Sequence, residues 1–140
     1  MLRVALLLAL VCAGGAKIYQ PCDLARELLY TYGLPRSQIA TWVCIAFAES
    51  SYNTAAVGPP NSDGSRDHGL FQINDSYWCY PGKGCATSCS SFEDDNIADD
   101  VACVRKIYSQ TAGYSGNGFT AWTTYSRCYS PDSYIAGCGI

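Results

Sequence analysis

The chain contains few charged residues, one histidine and one methionine. Asp, Glu, Lys and Arg together make up 15% of its 140 residues. With a single histidine and no pair of C-x2-C motifs, the sequence lacks the ligand spacing of a structural zinc site. It therefore argues against zinc as the reason for the many cysteines, which we expect to serve another purpose.

Basic residues are scarce as well. The chain has nine Lys and Arg against twelve Asp and Glu, and its net charge of −3 becomes −4 when Arg3 is left out. Nucleic acids and anionic membrane surfaces are bound through basic faces. We therefore expect neither nucleic acid nor membrane to be a main partner, and no long-range attraction to negatively charged bacterial surfaces.

Long apolar runs are missing beyond the first sixteen residues. There, Arg3 is followed by an apolar run over 4–12 and then by small residues up to Ala16. This order is typical of a secretory signal peptide, and the run is shorter than the ~20 residues that span a bilayer. We predict cleavage after Ala16 and a secreted, extracellular domain over 17–140, with a membrane anchor as the alternative.

The cysteines agree with export. Nine are present, and Cys12 lies inside the predicted signal peptide. An even number of cysteines in a small exported chain predicts four disulfides. Spacing alone leaves about a hundred possible pairings among the eight that remain. These are Cys22, Cys44, Cys79, Cys85, Cys89, Cys103, Cys128 and Cys138.

Apolar stripes at helical spacing predict three long helices, over 23–32, 37–50 and 99–111, and a short helical piece over 121–125. Gly33 would end the first helix and Ser37 would cap the second. The residues expected to face inward are Leu24, Leu28 and Tyr32, then Ile39, Trp42 or Val43, Ala46 and Phe47, then Val101, Val104, the Arg105 stem and Tyr108.

Residues 53–75 differ in composition from the helical segments. Turn residues alternate there with short β-capable pieces, which predicts a small antiparallel hairpin sheet. Helices segregated from such a sheet form an α+β domain with a cleft between the two parts. The length fits one domain.

Two carboxyl groups have contrasting surroundings. Glu49 follows the apolar run Ile45-Ala-Phe-Ala, so burial would raise its pKa and keep it protonated. Asp67 lies among Asn, Ser and Asp residues that would keep it ionised. Alone, each has an ordinary alternative: a half-exposed helix-end Glu and a turn Asp. As a pair, they predict an acid and a base or nucleophile.

Several segments resemble the c-type (chicken-type) lysozymes, for which this carboxyl pair is the type case. They are Cys22-Asp-Leu-Ala-Arg-Glu, Trp42-Val-Cys-Ile-Ala, Glu49-Ser-Ser-Tyr-Asn-Thr, Asn61 to Asn74, and the cysteine pattern from Cys85 to Cys103. The resemblance covers 17–140. It implies a lysozyme-like fold, in which a helical lobe and a small antiparallel sheet flank a cleft. It also implies a monomer that cleaves, with retention, the β-1,4 bond between N-acetylmuramic acid and N-acetylglucosamine in bacterial peptidoglycan, and chitooligosaccharides more weakly.

The resemblance also assigns individual residues. It implies that Glu49 is the general acid and Asp67 the second carboxylate, and that catalysis needs no cofactor. The implied disulfides are Cys22–Cys138, Cys44–Cys128, Cys79–Cys89 and Cys85–Cys103. The implied substrate-binding residues are the aromatics Tyr77, Trp78 and Trp122, whose alternative role is core packing, and Asn61, Asp63, Gln72, Asn74 and Ala121.

The chain departs from the family pattern in three places. The segment from Cys79 to Cys85 is short, and the Gly-rich stretch 112–118 is lengthened at the upper edge of the cleft. Both departures affect the outer sugar subsites. His68 replaces the aromatic residue that usually follows the catalytic aspartate; a lone histidine is more often structural, but here it could perturb Asp67.

A second candidate site is an acidic loop, with five acidic residues in the eight positions 93–100. The ordinary interpretation is that acids at a helix start complement its dipole. The resemblance instead implies a structural Ca²⁺ site, as in α-lactalbumin and the calcium-binding lysozymes, because carboxylates and carbonyls form a cage for hard cations. Its ligands would be the carboxylates of Asp94, Asp99 and Asp100 and the carbonyls of Ser91 and Asn96.

The rival function is that of a non-catalytic relative, similar to α-lactalbumin or sperm-type lysozyme, that binds sugar or a protein partner. Such relatives typically lack one or both carboxylates, whereas this chain has both Glu49 and Asp67. The sequence therefore favours an enzyme, and leaves open whether its bacteriolytic role is digestive or defensive.

Overall fold

The computed structural model describes residues 15–80 and 82–140, so residues 1–14 of the predicted signal peptide lie outside the described part. Its main elements are α1 (Pro21–Arg26), α2 (Ile39–Ser50), β1 (Asp67–His68), β2 (Ile73–Asn74) and α3 (Ala98–Ser115). A π-helical turn covers Glu27–Thr31, and 3-10 helices cover Arg36–Gln38, Cys89–Phe92, Gly118–Ala121, Thr123–Arg127 and Pro131–Ile135. Within the described residues, no helix is long and apolar enough to cross a membrane.

The first helix begins two residues before the predicted 23–32 and changes its winding. Pro21 stands in the first turn, where its fixed φ suits a helix start. At Glu27 the α-helix passes into the π-helical turn. Gly33 follows with a φ of +65°, which agrees with its predicted role as the helix end. Leu24 and Leu28 are fully buried.

Two predictions about the second helix are wrong. A 3-10 turn over Arg36–Gln38 precedes α2, and no side chain of the described residues caps the start of either element, so the predicted cap at Ser37 is wrong. The end at Ser50 agrees with the prediction. Phe47 is 47% exposed rather than buried. The remaining predicted positions are buried: Ile39, Trp42, Val43 and Ala46.

The third helix runs four residues beyond the predicted end, to Ser115, where Gly116 ends it with a φ of +80°. Val101 and Val104 are buried as predicted. The prediction for Arg105 is wrong: the side chain is exposed and its guanidinium donates to the Tyr32 carbonyl. A cation satisfied at the surface avoids the cost of burial.

The sheet is a small antiparallel hairpin, as predicted. Asp67 pairs with Asn74 and His68 with Ile73. Isolated bridges join Val57 to His68 and Ile18 to Asn53, which ties the start of the domain to the segment before the hairpin. The helices and this sheet occupy separate parts of the molecule, so the α+β class is confirmed.

Trp42 on α2 is the centre of the core beneath the cleft. Its ring meets Phe119 at 4.8 Å, Trp122 at 5.1 Å and Phe71 at 5.8 Å between centroids, all edge to face. Such pairs add to the free energy gained by burial alone. The cluster joins α2 to the hairpin and to the segment after α3, and so fixes the elements that carry the site.

Four disulfides hold the fold, with the pairing that the resemblance implies. They are Cys22–Cys138, Cys44–Cys128, Cys79–Cys89 and Cys85–Cys103. The first two span 116 and 84 residues. Long-range links restrict the unfolded chain most, and each is expected to stabilise the fold by about 2–4 kcal/mol.

Candidate active site

A cleft of about 620 Å³ runs between the hairpin and α3. The structure brings together in it all ten residues to which the sequence assigns catalysis or substrate binding. These are Glu49, Asn61, Asp63, Asp67, Gln72, Asn74, Tyr77, Trp78, Ala121 and Trp122. Ser62, Ser65, Ile73, Ile107, Thr111, Tyr114 and Thr123 complete the lining.

Glu49 is the penultimate residue of α2 and is half-buried at the cleft wall. The disulfide Cys44–Cys128 ties α2 to the 3-10 helix Thr123–Arg127, and from there the Thr124 hydroxyl donates to Glu49 Oε1 over 2.7 Å. Burial raises the pKa of Glu49, the Thr124 hydroxyl lowers it, and the charge of Asp67 raises it again. The net effect is a raised pKa, which suits a proton donor.

Asp67 lies on β1 with two amide donors. Asn74 Nδ2 donates to Oδ1 over 2.9 Å, and Asn61 Nδ2 donates to Oδ2 over 3.2 Å. A carboxylate that accepts two hydrogen bonds is stabilised in its ionised form. The cleft therefore contains one half-buried carboxyl group with a raised pKa and one carboxylate bound by two amides.

Ser65 organises these amides and was not among the predicted site residues. Its buried hydroxyl accepts from Asn61 Nδ2 at 3.1 Å and from Asn74 Nδ2 at 3.0 Å, and donates to Asp63 Oδ1 over 2.6 Å. The hydroxyl thereby fixes both donors of Asp67. The sequence feature that could have indicated this role is the position of Ser65 in the polar run before Asp67.

The Gln72 side chain binds the backbone around the hairpin turn and is not a partner of Asp67 among the described residues. Its backbone has a φ of +51°, and its amide donates to the carbonyls of Gly69 at 3.0 Å and Ala56 at 3.1 Å. A Cβ on Gly58 would lie 2.8 Å from Gln72 Oε1, so any other residue there would displace the Gln72 side chain. Gln72 therefore shapes the cleft through the backbone.

The three predicted cleft aromatics are exposed to different extents. Tyr77 is 68% exposed, whereas Trp122 is 6% exposed and donates its indole N–H to the Phe71 carbonyl over 3.0 Å. Trp78 packs against Gly84, where a Cβ would lie 2.5 Å from its Cε3 atom. Tyr77 and Trp78 thus offer ring surface to a ligand, and Trp122 mainly forms the base of the cleft.

The sequence analysis missed two further residues of the site, one in the cleft lining and one that binds Glu49. Tyr114 is 81% exposed on the last turn of α3, in the stretch whose lengthening the sequence did show. Thr124 reaches Glu49 from 75 positions away, and no local pattern predicts such a contact.

The acidic loop holds one unusual group, Asp100. Its carboxylate is fully buried, and neither oxygen has a hydrogen-bond partner among the described residues. Burial raises the pKa of Asp100 to about 8; the N–H groups of Asp100 and Leu70 lie near enough to lower it in part, without hydrogen-bond geometry. Asp94 and Asp99 add to the increase.

The other expected calcium ligands do not converge on Asp100. Asp94 accepts from the Asn96 N–H at 3.0 Å, and Asp99 is exposed beside Lys106 in a separate small cavity. The three carboxylates do not come within 4.8 Å of one another, as judged over the described residues. The orphaned carboxylate of Asp100 fits a cation, but the three carboxylates as placed do not form a common cluster in the described part of the chain.

A cleft that holds a half-buried carboxyl group of raised pKa and a second carboxylate bound by two amides, with amides and aromatic rings in its lining, defines a glycoside hydrolase, the class for which lysozyme is the type case. Known proteins resemble the chain along nearly all of its length. The model of the C-type lysozyme/alpha-lactalbumin family matches residues 17–138. The chain therefore belongs to the C-type lysozyme/alpha-lactalbumin family.

Individual relatives support this family membership. Lysozyme 1 of Musca domestica is 46% identical over 137 residues, which is 94% of this chain and 92% of that protein. Lysozyme D of Drosophila melanogaster is 45% identical over 130 residues, 87% of this chain and 88% of that protein. A lysozyme from Litopenaeus vannamei has a crystal structure that matches with a TM-score of 0.80 and 36% identity, covering 89% of this chain and 98% of that one.

These relatives decide between the two functions that the sequence left open. Proteins named lysozymes match most of the chain at 40–46% identity. The predicted lysozyme-like fold and glycoside hydrolase activity are confirmed, and a non-catalytic role is not favoured.

Proposed function

We propose that this enzyme cleaves the β-1,4 bond between N-acetylmuramic acid and N-acetylglucosamine in bacterial peptidoglycan, and chitooligosaccharides more weakly. The observation that carries the proposal is the contrast between Glu49, half-buried with a raised pKa, and Asp67, bound by two amides in the same cleft. Lysozymes need no cofactor for this reaction, and here side chains of the chain supply both chemical roles.

Glu49 acts first, as the general acid. The Thr124 hydroxyl donates to Oε1, so the transferable proton belongs on Oε2, which accepts from no donor in the described part of the chain. Glu49 protonates the glycosidic oxygen and the bond to the leaving sugar breaks. The same carboxylate then takes a proton from the water that enters, which restores the acid.

Asp67 acts on the other side of the sugar ring. Its two amide donors hold the carboxylate in one orientation, since Ser65 fixes both amides. The carboxylate attacks or stabilises the oxocarbenium-like centre, and water then releases the sugar with retention, the route for which lysozyme is the type case.

The remaining cleft residues bind the polysaccharide. Tyr77 and Trp78 stack on sugar rings through their accessible faces, and Trp122 contributes the small edge that it leaves exposed. The residues that bind N-acetyl and hydroxyl groups or shape the cleft are Asn61, Asp63, Gln72, Asn74 and Ala121.

Glu49→Gln tests the acid role. The substitution preserves size and the Thr124 contact but removes the transferable proton, so the rate of cell-wall lysis should fall by about a thousandfold or more. Asp67→Asn should lower kcat by a similar order. Binding of chitotriose, measured by tryptophan fluorescence, should persist in both variants.

Glu27→Gln is the matched control, because Glu27 binds the Tyr19 and Tyr32 hydroxyls away from the cleft. It should lyse walls at the wild-type rate. Wild-type lysis by the Glu49→Gln variant would overturn the mechanism.

We also propose that the acidic loop binds calcium. The ion would have a structural role, separate from catalysis. Its support is the buried carboxylate of Asp100, which has no partner among the described residues and needs either a proton or a cation. Asp94 and Asp99, with the carbonyls of Ser91 and Asn96, would have to turn toward Asp100 to complete the ligand set. Melting in calcium and in EDTA tests this part.

Secretion as a monomer after cleavage at Ala16 is also part of the proposal. Its support is the position of Lys17, whose N–H donates to the Thr54 hydroxyl over 2.9 Å while its carbonyl accepts from the Thr54 N–H at 2.9 Å. These contacts hold against the domain the residue where the mature chain would start. Amino-terminal sequencing of the secreted protein should read Lys17 first.

A further inference from the structure

His68 follows Asp67 on β1 and lies on the opposite side of the strand. Asp67 lines the cleft, whereas His68 is 8% exposed and is not part of the lining. Successive side chains of a strand point to opposite faces, so whatever fixes one also fixes the backbone of the other. The hairpin itself is short, with Asp67 paired to Asn74 and His68 to Ile73.

Two carboxylates hold the His68 ring, one at each nitrogen. Nδ1 lies 2.7 Å from Glu93 Oε1, and Nε2 lies 3.1 Å from Asp75 Oδ2. A carboxylate can only accept, so both bonds require a hydrogen on both nitrogens, which only the imidazolium has. A neutral ring would turn a lone pair toward one of the two anions.

The partners of His68 belong to two different segments. Asp75 follows Asn74, the residue that donates to Asp67 Oδ1. Glu93 follows the 3-10 helix Cys89–Phe92, which leads into α3. The imidazolium therefore fastens the strand of Asp67 both to its own hairpin and to the segment beneath it.

Several other groups, charged and polar, lie near His68 and its two partners. Lys83 Nζ donates to the Asp75 carbonyl over 2.9 Å, and the Arg66 N–H donates to Asp75 Oδ1 over 3.1 Å. Asp100 lies beyond Gly69, where a Cβ would be 2.9 Å from its Oδ2. The sulfurs of Cys79 and Cys89 are also close to the ring, but they are bonded to each other and bind no metal.

We infer that His68 is a positioning residue for Asp67, and that it acts as an imidazolium clamped between Glu93 and Asp75. The inference rests on the proposed role of Asp67 as the second carboxylate. His68 touches neither substrate nor reacting atoms. It fixes the direction in which the neighbouring carboxylate meets the sugar.

The clamp depends on pH in a defined direction. Burial lowers the pKa of His68, but the hydrogen bonds to Glu93 and Asp75 outweigh it and the net pKa is raised above 6.5. The stabilisation is therefore present in full below about pH 6.5 and is lost as pH rises through the raised pKa. Above it, one carboxylate is released and β1 loosens.

The first test is an NMR titration of the intact protein. His68 is the only histidine in the sequence, so its ring nitrogens give an unambiguous signal. We expect both nitrogens to be protonated at pH 6.5 and the midpoint to lie above that value. A midpoint at or below 6.5 would overturn the inference.

The second test compares Glu93→Gln with Asp95→Asn, which removes the same charge from a residue two positions away in the same loop. Glu93→Gln keeps an acceptor for Nδ1 but lowers the pKa of His68. At a pH between the wild-type and variant midpoints, kcat should fall about tenfold while KM changes less than about twofold, because a displaced carboxylate impairs the reaction more than binding. Asp95→Asn should change neither.

Activity restored to Glu93→Gln below its lowered His68 midpoint would support positioning over general destabilisation. A kcat that is wild-type at every pH in Glu93→Gln would contradict the inference and leave the proposed function intact. Full activity of Glu49→Gln would instead refute the proposed function, whatever the midpoint of His68.

Discussion

The proton affinity of Glu49 depends on a residue far along the chain. Burial raises the pKa of Glu49, the Thr124 hydroxyl lowers it, and Asp67 and the Arg127 cation act in opposite directions beyond that. Thr124 is itself buried and has a fixed orientation, because Cys128 ties its helix to α2. One hydroxyl thus limits how far burial can raise the pKa of the acid.

Thr124→Val removes that donor while preserving shape. The pKa of Glu49 should rise, so the enzyme should keep its acid protonated to higher pH and the alkaline limb of kcat/KM should move upward. Loss of the bond should cost about 1 kcal/mol of unfolding free energy. A pH profile on chitooligosaccharides measures the limb.

Thr31→Val, the same change at an exposed position at the end of the π-helical turn, is the matched control and should leave the limb in place. A limb that stays fixed or moves to lower pH in Thr124→Val would show that the hydroxyl does not set the proton affinity of Glu49.

Single residues differ in how well the sequence predicts them. Glu49 and Asp67 could be chosen because their surroundings are set by sequence neighbours: an apolar helix for one and a polar turn for the other. Thr124 and Glu93 could not, since they reach Glu49 and His68 from segments 75 and 25 positions away. Contacts of this kind depend on the packing of elements, which periodicity does not describe.

At the scale of elements, helix ends were predictable where a glycine permits the left-handed backbone that ends a helix. Gly33 ends the first helix in this way. α3 was predicted too short because Gly113 and its neighbours read as a loop, whereas the stop is Gly116. Nothing in the sequence of residues 27–31 indicates the π winding of this turn.

The extra turn of α3 places Tyr114 on the cleft rim, 81% exposed. Tyr114→Ala should weaken binding of chitohexaose by about tenfold, as expected for loss of an aromatic contact of about 1 kcal/mol with its buried area. Binding of chitotriose, which occupies fewer subsites, should change little. Calorimetric titration with both sugars measures the difference.

Tyr129→Ala provides the control, since Tyr129 is 91% exposed and does not line the cleft. Equal losses for the short and the long sugar in Tyr114→Ala would place this ring at a central subsite. No loss for either would remove it from the binding surface.

Stability of the whole molecule should respond to calcium if the acidic loop binds it. At a concentration a hundred times its Kd, the ion should raise the unfolding free energy by roughly 2.7 kcal/mol, and EDTA should lower Tm. Magnesium should substitute poorly because it requires a tighter octahedron. Scanning calorimetry at fixed pH measures each shift.

Asp100→Asn separates the cation from the cost of the buried carboxylate. Without calcium, the variant should melt at or above the wild-type Tm, since it buries no unpaired acid. With calcium it should gain nothing, and Asp99→Asn should also lose the response. The same wild-type Tm in calcium and in EDTA would leave the acidic loop as an ordinary helix start.

The link between Cys22 and Cys138, which lie 116 positions apart, closes the domain into a covalent ring. A single proteolytic cut anywhere inside that ring opens it without releasing a fragment. Glu49 and Asp67 would therefore remain on one molecule after a nick, held together by a bond that peptidases cannot hydrolyse. The first proteolytic cut in this enzyme therefore need not be the one that ends its activity.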